Sequence, residues 1–243
     1  MENTQIIISI NLHENVNFFL KQLENIETYV DNDYIIIINT DRPMYSNLMC
    51  NKIIKNHPKI IINPEIIKKK RFHGSLSKGI YSNMKLALSK YNFDYFVVLS
   101  SRTFFYNNIS VDMLNKLDKI IDKHGVLYDD IPKKNDNWTR FMNPLFTEYL
   151  KQHNHKFIQY PHEGFVCDKN MCAYMVTFLD NNQNIKNNLF NFNNCVEEFF
   201  FQSFALIHGG FISLHSRIDI SKKKILFDGV FPENKYTYKL KRE

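Results

Sequence analysis

Two adjacent carboxylates, Glu197 and Glu198, stand at the start of an apolar-periodic segment. A carboxylate held at a cleft can take the proton from a reacting hydroxyl. With Asn194 as N-cap, Glu197 falls at the third helical position, where a glutamate closes a capping box. Glu198 points away from the stripe of Val196, Phe199, Phe200, Ser203, Phe204 and Ile207, so it is free to face a cleft. A solvated surface glutamate is the plain alternative. Ser75 and Ser77 open another predicted helix, whose backbone N–H groups can bind phosphate or whose hydroxyls can cap. Arg217 follows a predicted strand, and a guanidinium there can grip phosphate oxygens in pairs. Lys222, Lys223 and Lys224 continue the basic run, with an ordinary solvated tail as the other reading. Trp138, the only tryptophan, can stack on a sugar ring or pack in the core.

No metal site is expected. Asp31-Asn32-Asp33 precedes a predicted strand, which makes it a solvated turn, and Asp129-Asp130 reaches a site only if its loop carries it inward. His153, His155 and His162 lie in a polar loop without helical spacing. Cys50, Cys167, Cys172 and Cys195 match no zinc spacing and read as reduced thiols packed in a core. No P-loop, G-x-S-x-G or G-x-G-x-x-G segment occurs.

These residues need a scaffold. Ile6–Ile10, Tyr34–Ile38 and Tyr95–Leu99 are continuous apolar runs, the mark of strands buried on both faces. Ile60–Ile62 is a shorter one, and Phe211–Leu214 a last one. Helical spacing covers 15–30 and 75–90, then 111–121, 171–179 and 194–207, while 157–167 reads as extended. Pro43 stops the second strand. The alternation predicts an α/β fold with a mostly parallel central sheet and helices on both faces. Ligands of such sheets bind beyond the carboxyl ends of the strands. That rule selects Ser9 and Asn11, then Asn39, Asp41 and Arg42, then Ser100 and Ser101, as walls of a site.

The chain has 243 residues, 44% of them hydrophobic, enough for a substantial core. Heavy use of Lys, Asn and Ile points to an A/T-rich genome, viral or microbial, and inflates the net charge of +6. The basic residues form two short runs, 68–71 and 222–224, not one long arm, so nucleic acid is not the expected partner. Met1–Thr4 carries no basic flank and the apolar run after it is strand-length. That predicts no secretory signal, no membrane span and a cytoplasmic protein, in the host cytoplasm if viral.

The order of segments resembles the core-2/I-branching β-N-acetylglucosaminyltransferases and the related peptide O-xylosyltransferases, a family of GT-A-type, Rossmann-like fold. Ile38-Asn39-Thr40-Asp41-Arg42 is similar to that family's strand ending in His-Val-Asp-Arg, and His73-Gly74-Ser75-Leu76-Ser77 to its Trp-Gly-Gly-x-Ser segment. Asp94–Ser101 is similar to its strand ending in Leu-Ser/Cys-Gly, and Val196-Glu197-Glu198-Phe199 to its Pro-Asp-Glu-Phe. The chain departs where the family has Gly-x-Asp-x-Pro, reading Ser101-Arg102-Thr103-Phe104-Phe105, and His73 replaces the family's Trp.

The resemblance implies a single glycosyltransferase domain over 1–243, with 1–105 binding the nucleotide and 106–243 binding acceptor and carrying catalysis. It implies an inverting enzyme moving GlcNAc or xylose from a UDP-sugar to a glycan or glycoprotein hydroxyl, with Glu198 as base. Glu163 falls on the acceptor side, as an acceptor-binding group or alternative base, and Glu197 and Trp138 are further alternatives. Most GT-A enzymes hold a divalent ion through Asp-x-Asp after the fourth strand; 100–103 contains no carboxylate. The resembling family meets the diphosphate with late Arg and Lys residues instead, a role that falls here to Arg217 and Lys222–Lys224. No cofactor beyond the nucleotide sugar is expected. The competing expectation is an inactive module of the same fold that binds a glycan or nucleotide.

Overall fold

The computed structural model describes residues 2–13, 15–31, 33–70, 73–130, 143–220 and 236–240, with side chains left aside at 2 and 216–220. Trp138, Lys222, Lys223 and Lys224 lie outside the described residues, as does the side chain of Arg217.

The first half builds β1 (Glu2–Asn3), β2 (Ile6–Leu12), α1 (Val16–Tyr29), β3 (Tyr34–Thr40), α2 (Arg42–Cys50), α3 (Lys52–Asn56), β4 (Ile60–Ile62), α4 (Ser75–Lys90), β5 (Tyr91–Asn92), β6 (Tyr95–Ser100) and β7 (Thr103–Phe105). The second half adds α5 (Val111–Lys116), α6 (Pro144–Gln152), β8 (Phe165–Asp168), α7 (Lys169–Asn181), α8 (Gln183–Asn191), α9 (Phe200–Ile207), β9 (Ile212–Ser213), β10 (His215–Ile220) and β11 (Thr237–Leu240). The main sheet runs β4-β3-β2-β6-β8-β9. Its first four strands are parallel, β8 is antiparallel to β6, and β9 antiparallel to β8. The sheet therefore joins both halves of the chain. Its neighbour, β10-β11-β7, ties the last described strand to the segment after β6.

Both sheet faces are covered, as the two-sided apolar strands require. Ile6, Ile8 and Ile10 pack with Phe19, Leu23 and Ile26 of α1 and with Leu48 and Ile54 of α2 and α3. Ile7 and Ile37 face the other way, onto Ile80 and Met84 of α4, Met171 and Met175 of α7, and the phenylalanines of α9. Phe199, Phe200 and Phe201 are all buried, so α9 is enclosed rather than amphipathic. Among the described residues no helix is long and apolar enough to cross a membrane.

Several expectations need correction. Pro43 does not merely end β3; it sits in the first turn of α2, where the missing N–H is no loss, and Asp41 caps that helix. The expected helix over 111–121 stops at Lys116, because the chain turns to pair Ile120 with Phe211. Of the extended stretch 157–167, only 165–167 belongs to a strand, which continues to 168. The expected helix over 194–207 is broken. Val196–Glu198 forms a 3-10 turn, and Phe199 leaves helical geometry to pack its ring against Phe146 and Phe157 before α9 begins. Arg217 lies within β10, not in a tail beyond the last strand.

Candidate functional site

The main sheet reverses its order at β2, with β3 on one side and β6 on the other. The crevice at the carboxyl ends of these strands is where an open α/β sheet holds its ligand. Asn11 and Asn39 each lie one residue before the end of β2 and β3, and Ser100 ends β6.

Lys69 joins the first two. Its ammonium donates to Asn11 Oδ1 at 2.9 Å and to Asn39 Oδ1, and reaches the carbonyl of Ser75 at 3.5 Å. The amide nitrogens of the same asparagines donate outward, Asn11 to Leu76 O and Asn39 to Glu65 O. Gly79 makes room: a Cβ there would stand 2.0 Å from Asn11 Oδ1 and 2.2 Å from Lys69 Nζ. Burial pulls the Lys69 amine down to about 7. Lys69 was not singled out from the sequence, where it is one residue of a basic run.

The other strand-end residues are placed as follows. Ser9 is buried and accepts from Asn83 Nδ2. Ser75 accepts from the backbone of Lys70, and Asp41 from that of Met44, so both hydroxyl and carboxylate have capping or turn duties. Arg42 is exposed in the first turn of α2. Ser100 Oγ lies 2.9 Å from Thr103 Oγ1. Ser101 is fully buried with its hydroxyl 3.4 Å from the His13 ring.

A second constellation gathers around the entry to β8. The Gly164 N–H donates to Val98 O, and its positive φ of 79° turns the chain from His162 and Glu163 into the strand. Glu163 is buried and paired with Lys239 of β11. His162 Nδ1 lies 3.5 Å from Glu163 Oε2. Glu198 is brought in by the 3-10 turn, whose carbonyl at 198 accepts from Tyr160 N at 2.9 Å. Thus Glu163 and Glu198, expected from the sequence as alternative and principal base, are brought together.

Charge divides these groups. Burial would raise the Glu163 carboxyl, but His162 and Lys239 outweigh it and hold it at about 2. Burial drops His162 to about 4, so at neutral pH the ring is neutral and Lys239 is the standing counter-ion. Burial, aided by the Glu163 charge, lifts Glu198 to about 7. Burial and the charges of Glu198 and Glu163 lift Glu197 to about 8. Glu197 closes no capping box: it is buried, its Oε2 has no hydrogen-bond partner, and the turn has no side-chain cap. Burial and the nearby carboxylates push the Cys195 thiol up to about 12, which removes it as a thiolate nucleophile.

Among the described residues, His162, Glu163 and Glu198 are the one set whose donor atoms lie within 4.8 Å of one another, the spacing a divalent ion requires. The Lys239 ammonium already balances Glu163 there. His153 and His155 do not join His162; they stack near Tyr149 at the end of α6. Lys239 was missed because one lysine in a basic terminal stretch carries no pattern. The pairing of β11 with β10 and β7 carries it to Glu163. No protein-family model matches the chain, and no curated protein matches it significantly.

Proposed function

We propose that the chain is an inverting glycosyltransferase that moves a sugar from a nucleotide donor, UDP-linked by the sequence resemblance, to a hydroxyl of a glycan or protein. The observation that carries the reading is Glu198, a partly enclosed carboxyl poised near neutrality beside Glu163, at the entry to β8 where that strand pairs with β6. A base working at neutral pH needs that balance between ionised fraction and basicity.

In this reading the acceptor oxygen attacks the anomeric carbon and gives its proton to Glu198. The bond from that carbon to the diphosphate oxygen breaks, and the electron pair leaves with the nucleoside diphosphate. Fixed cations stabilise the charge that develops. Lys69, whose amine at about 7 takes up a proton when an anion sits beside it, and Lys239, shared with Glu163, are the described candidates, joined by Arg217 and Lys222–Lys224 from the sequence reading. No carboxylate follows β6 at 100–103 to hold an ion in their place. Glu163, held ionised by Lys239, fixes the pair beside Glu198 and raises its basicity.

The second reading is a binding module without turnover. It draws support from Ser9, Asn11, Asn39 and Ser100, whose side chains already satisfy one another or nearby groups. Donor consumption separates the two: release of UDP from UDP-GlcNAc or UDP-xylose supports transfer, and stabilisation by UDP without release supports the module.

A further inference from the structure

One concavity among the described residues shares no lining residue with the charged site. It is a groove of about 710 Å³ lined by α8 and the loop after it, and by Leu145 at the start of α6. We propose that this groove binds a neutral oligosaccharide through an amide ladder on α8.

Four asparagines, Asn184, Asn187, Asn188 and Asn191, face the groove at positions i, i+3, i+4 and i+7, which is one side of a helix. Asparagine is common along this chain, so its number means nothing; its placement does. Asparagine is a poor helix former whose side chain tends to bond back to the backbone. Here Asn191 does so, to the carbonyl of Asn187 at 2.9 Å. Asn188 Oδ1 is buried with no hydrogen-bond partner, an acceptor lacking a donor.

The chemistry of the wall selects the ligand. Among the described residues that line the groove none is charged, although 23% of the chain is charged. A nucleotide or an acidic glycan would leave its charge unmet there. Each amide offers both a donor and an acceptor, the complement of a sugar's adjacent hydroxyls. Phe192 and Leu145 supply apolar surface for a ring face. The volume falls within the range of small-molecule sites.

The groove is independent of the transferase reading but close to it. Asn194 lines it, and Glu198 stands four positions further along the chain. Fully extended, that stretch spans at most about 14 Å, and the 3-10 turn at Val196–Glu198 shortens it. A bound oligosaccharide could thus reach from the groove toward the carboxyl cluster.

The test is saturation-transfer NMR on the full chain, without donor, using chitotriose, cellotriose and maltotriose as neutral probes and trigalacturonate as the acidic comparator. Signal is expected from at least one neutral probe and none from trigalacturonate. It should vanish in Asn184→Ala/Asn187→Ala, whose sites are exposed on α8 and whose thermal unfolding should match the parent. Absence of signal from every neutral probe, equal signal from trigalacturonate, or signal that survives the double variant would overturn the proposal. UDP-sugar turnover measured in parallel is unaffected by any of these results, so failure here and failure of the transferase reading are distinguishable.

Discussion

Replacing Glu197 by Gln should shift the stability difference from the parent steadily in the variant's favour as pH rises from 5 to 8. Glu197 is 2% exposed, and its carboxyl titrates at about 8 rather than its ordinary 4.5. The folded state therefore holds the proton across a window where the unfolded chain has released it. That contribution to stability is fully present below about 4.5 and is lost as pH rises through about 8. Each pH unit in the window withdraws at most about 1.4 kcal/mol, which sets an upper limit of about 5 kcal/mol. Relaxation and water entry around a buried carboxylate lower this, and we expect about 2–3 kcal/mol. Glutamine keeps the shape and cannot ionise. Its amide carries a roughly constant cost of about 1–3 kcal/mol if unsatisfied, so the readout is the change in the difference, not its absolute value. Glu198 titrates in both proteins and drops out to first order. Urea unfolding of both proteins at pH 5, 6, 7 and 8 measures it. A stability difference that stays flat from pH 5 to pH 8 would refute the account of Glu197.

Lys239→Met leaves the Glu163 carboxylate buried without its counter-ion and should cost about 3–5 kcal/mol at pH 7. Adding Glu163→Gln should recover most of this in urea unfolding; independent, additive losses would contradict the pairing. Glu163 itself, held at about 2, contributes stability present above about 4.5 and lost as pH falls through about 2. Phe146→Ala empties a fully buried site between Phe199 and Phe200, ring centroids 5.6 and 4.8 Å away. The expected loss is about 3–5 kcal/mol, measured by urea unfolding, with a loosened turn at Glu198; a loss below about 1 kcal/mol would mean that this aromatic cluster is not the support of the turn. Lys69→Met should reduce the thermal stabilisation by UDP, which for a wild-type protein at one hundred times its Kd amounts to about 2.7 kcal/mol; an equal shift in the variant removes Lys69 from the nucleotide site.

The parallel half of the fold is legible in the sequence because it rests on short-range patterns. Ile6–Ile10 and Tyr95–Leu99 are short, apolar and rich in β-branched or aromatic residues, which reads as strands buried on both sides, and the rule for strand ends then leads to Asn11, Asn39 and Ser100. The second half is less legible because its contacts are long-range. Nothing local marks β11, whose strand pairing with β7 delivers Lys239. The periodicity at 194–207 reads as one helix, but the chain breaks at Phe199, whose ring packs against Phe146 and Phe157, long-range partners that no local pattern announces. That break changes the role of Glu197 from cap to buried acid. Glu198 was singled out by its place off the apolar stripe, and it does meet Glu163; what the sequence could not supply is the burial that tunes it.

The most direct test of the central claim is release of UDP from UDP-GlcNAc and UDP-xylose, with excess chelator present, by the parent and by Glu198→Gln. The account predicts turnover by the parent that persists in chelator and falls by about 10²–10⁴-fold in the variant, the usual contribution of a positioned base. Full activity in Glu198→Gln would contradict the role given to this carboxyl, and loss of the parent's activity in chelator would contradict the role given to the fixed cations.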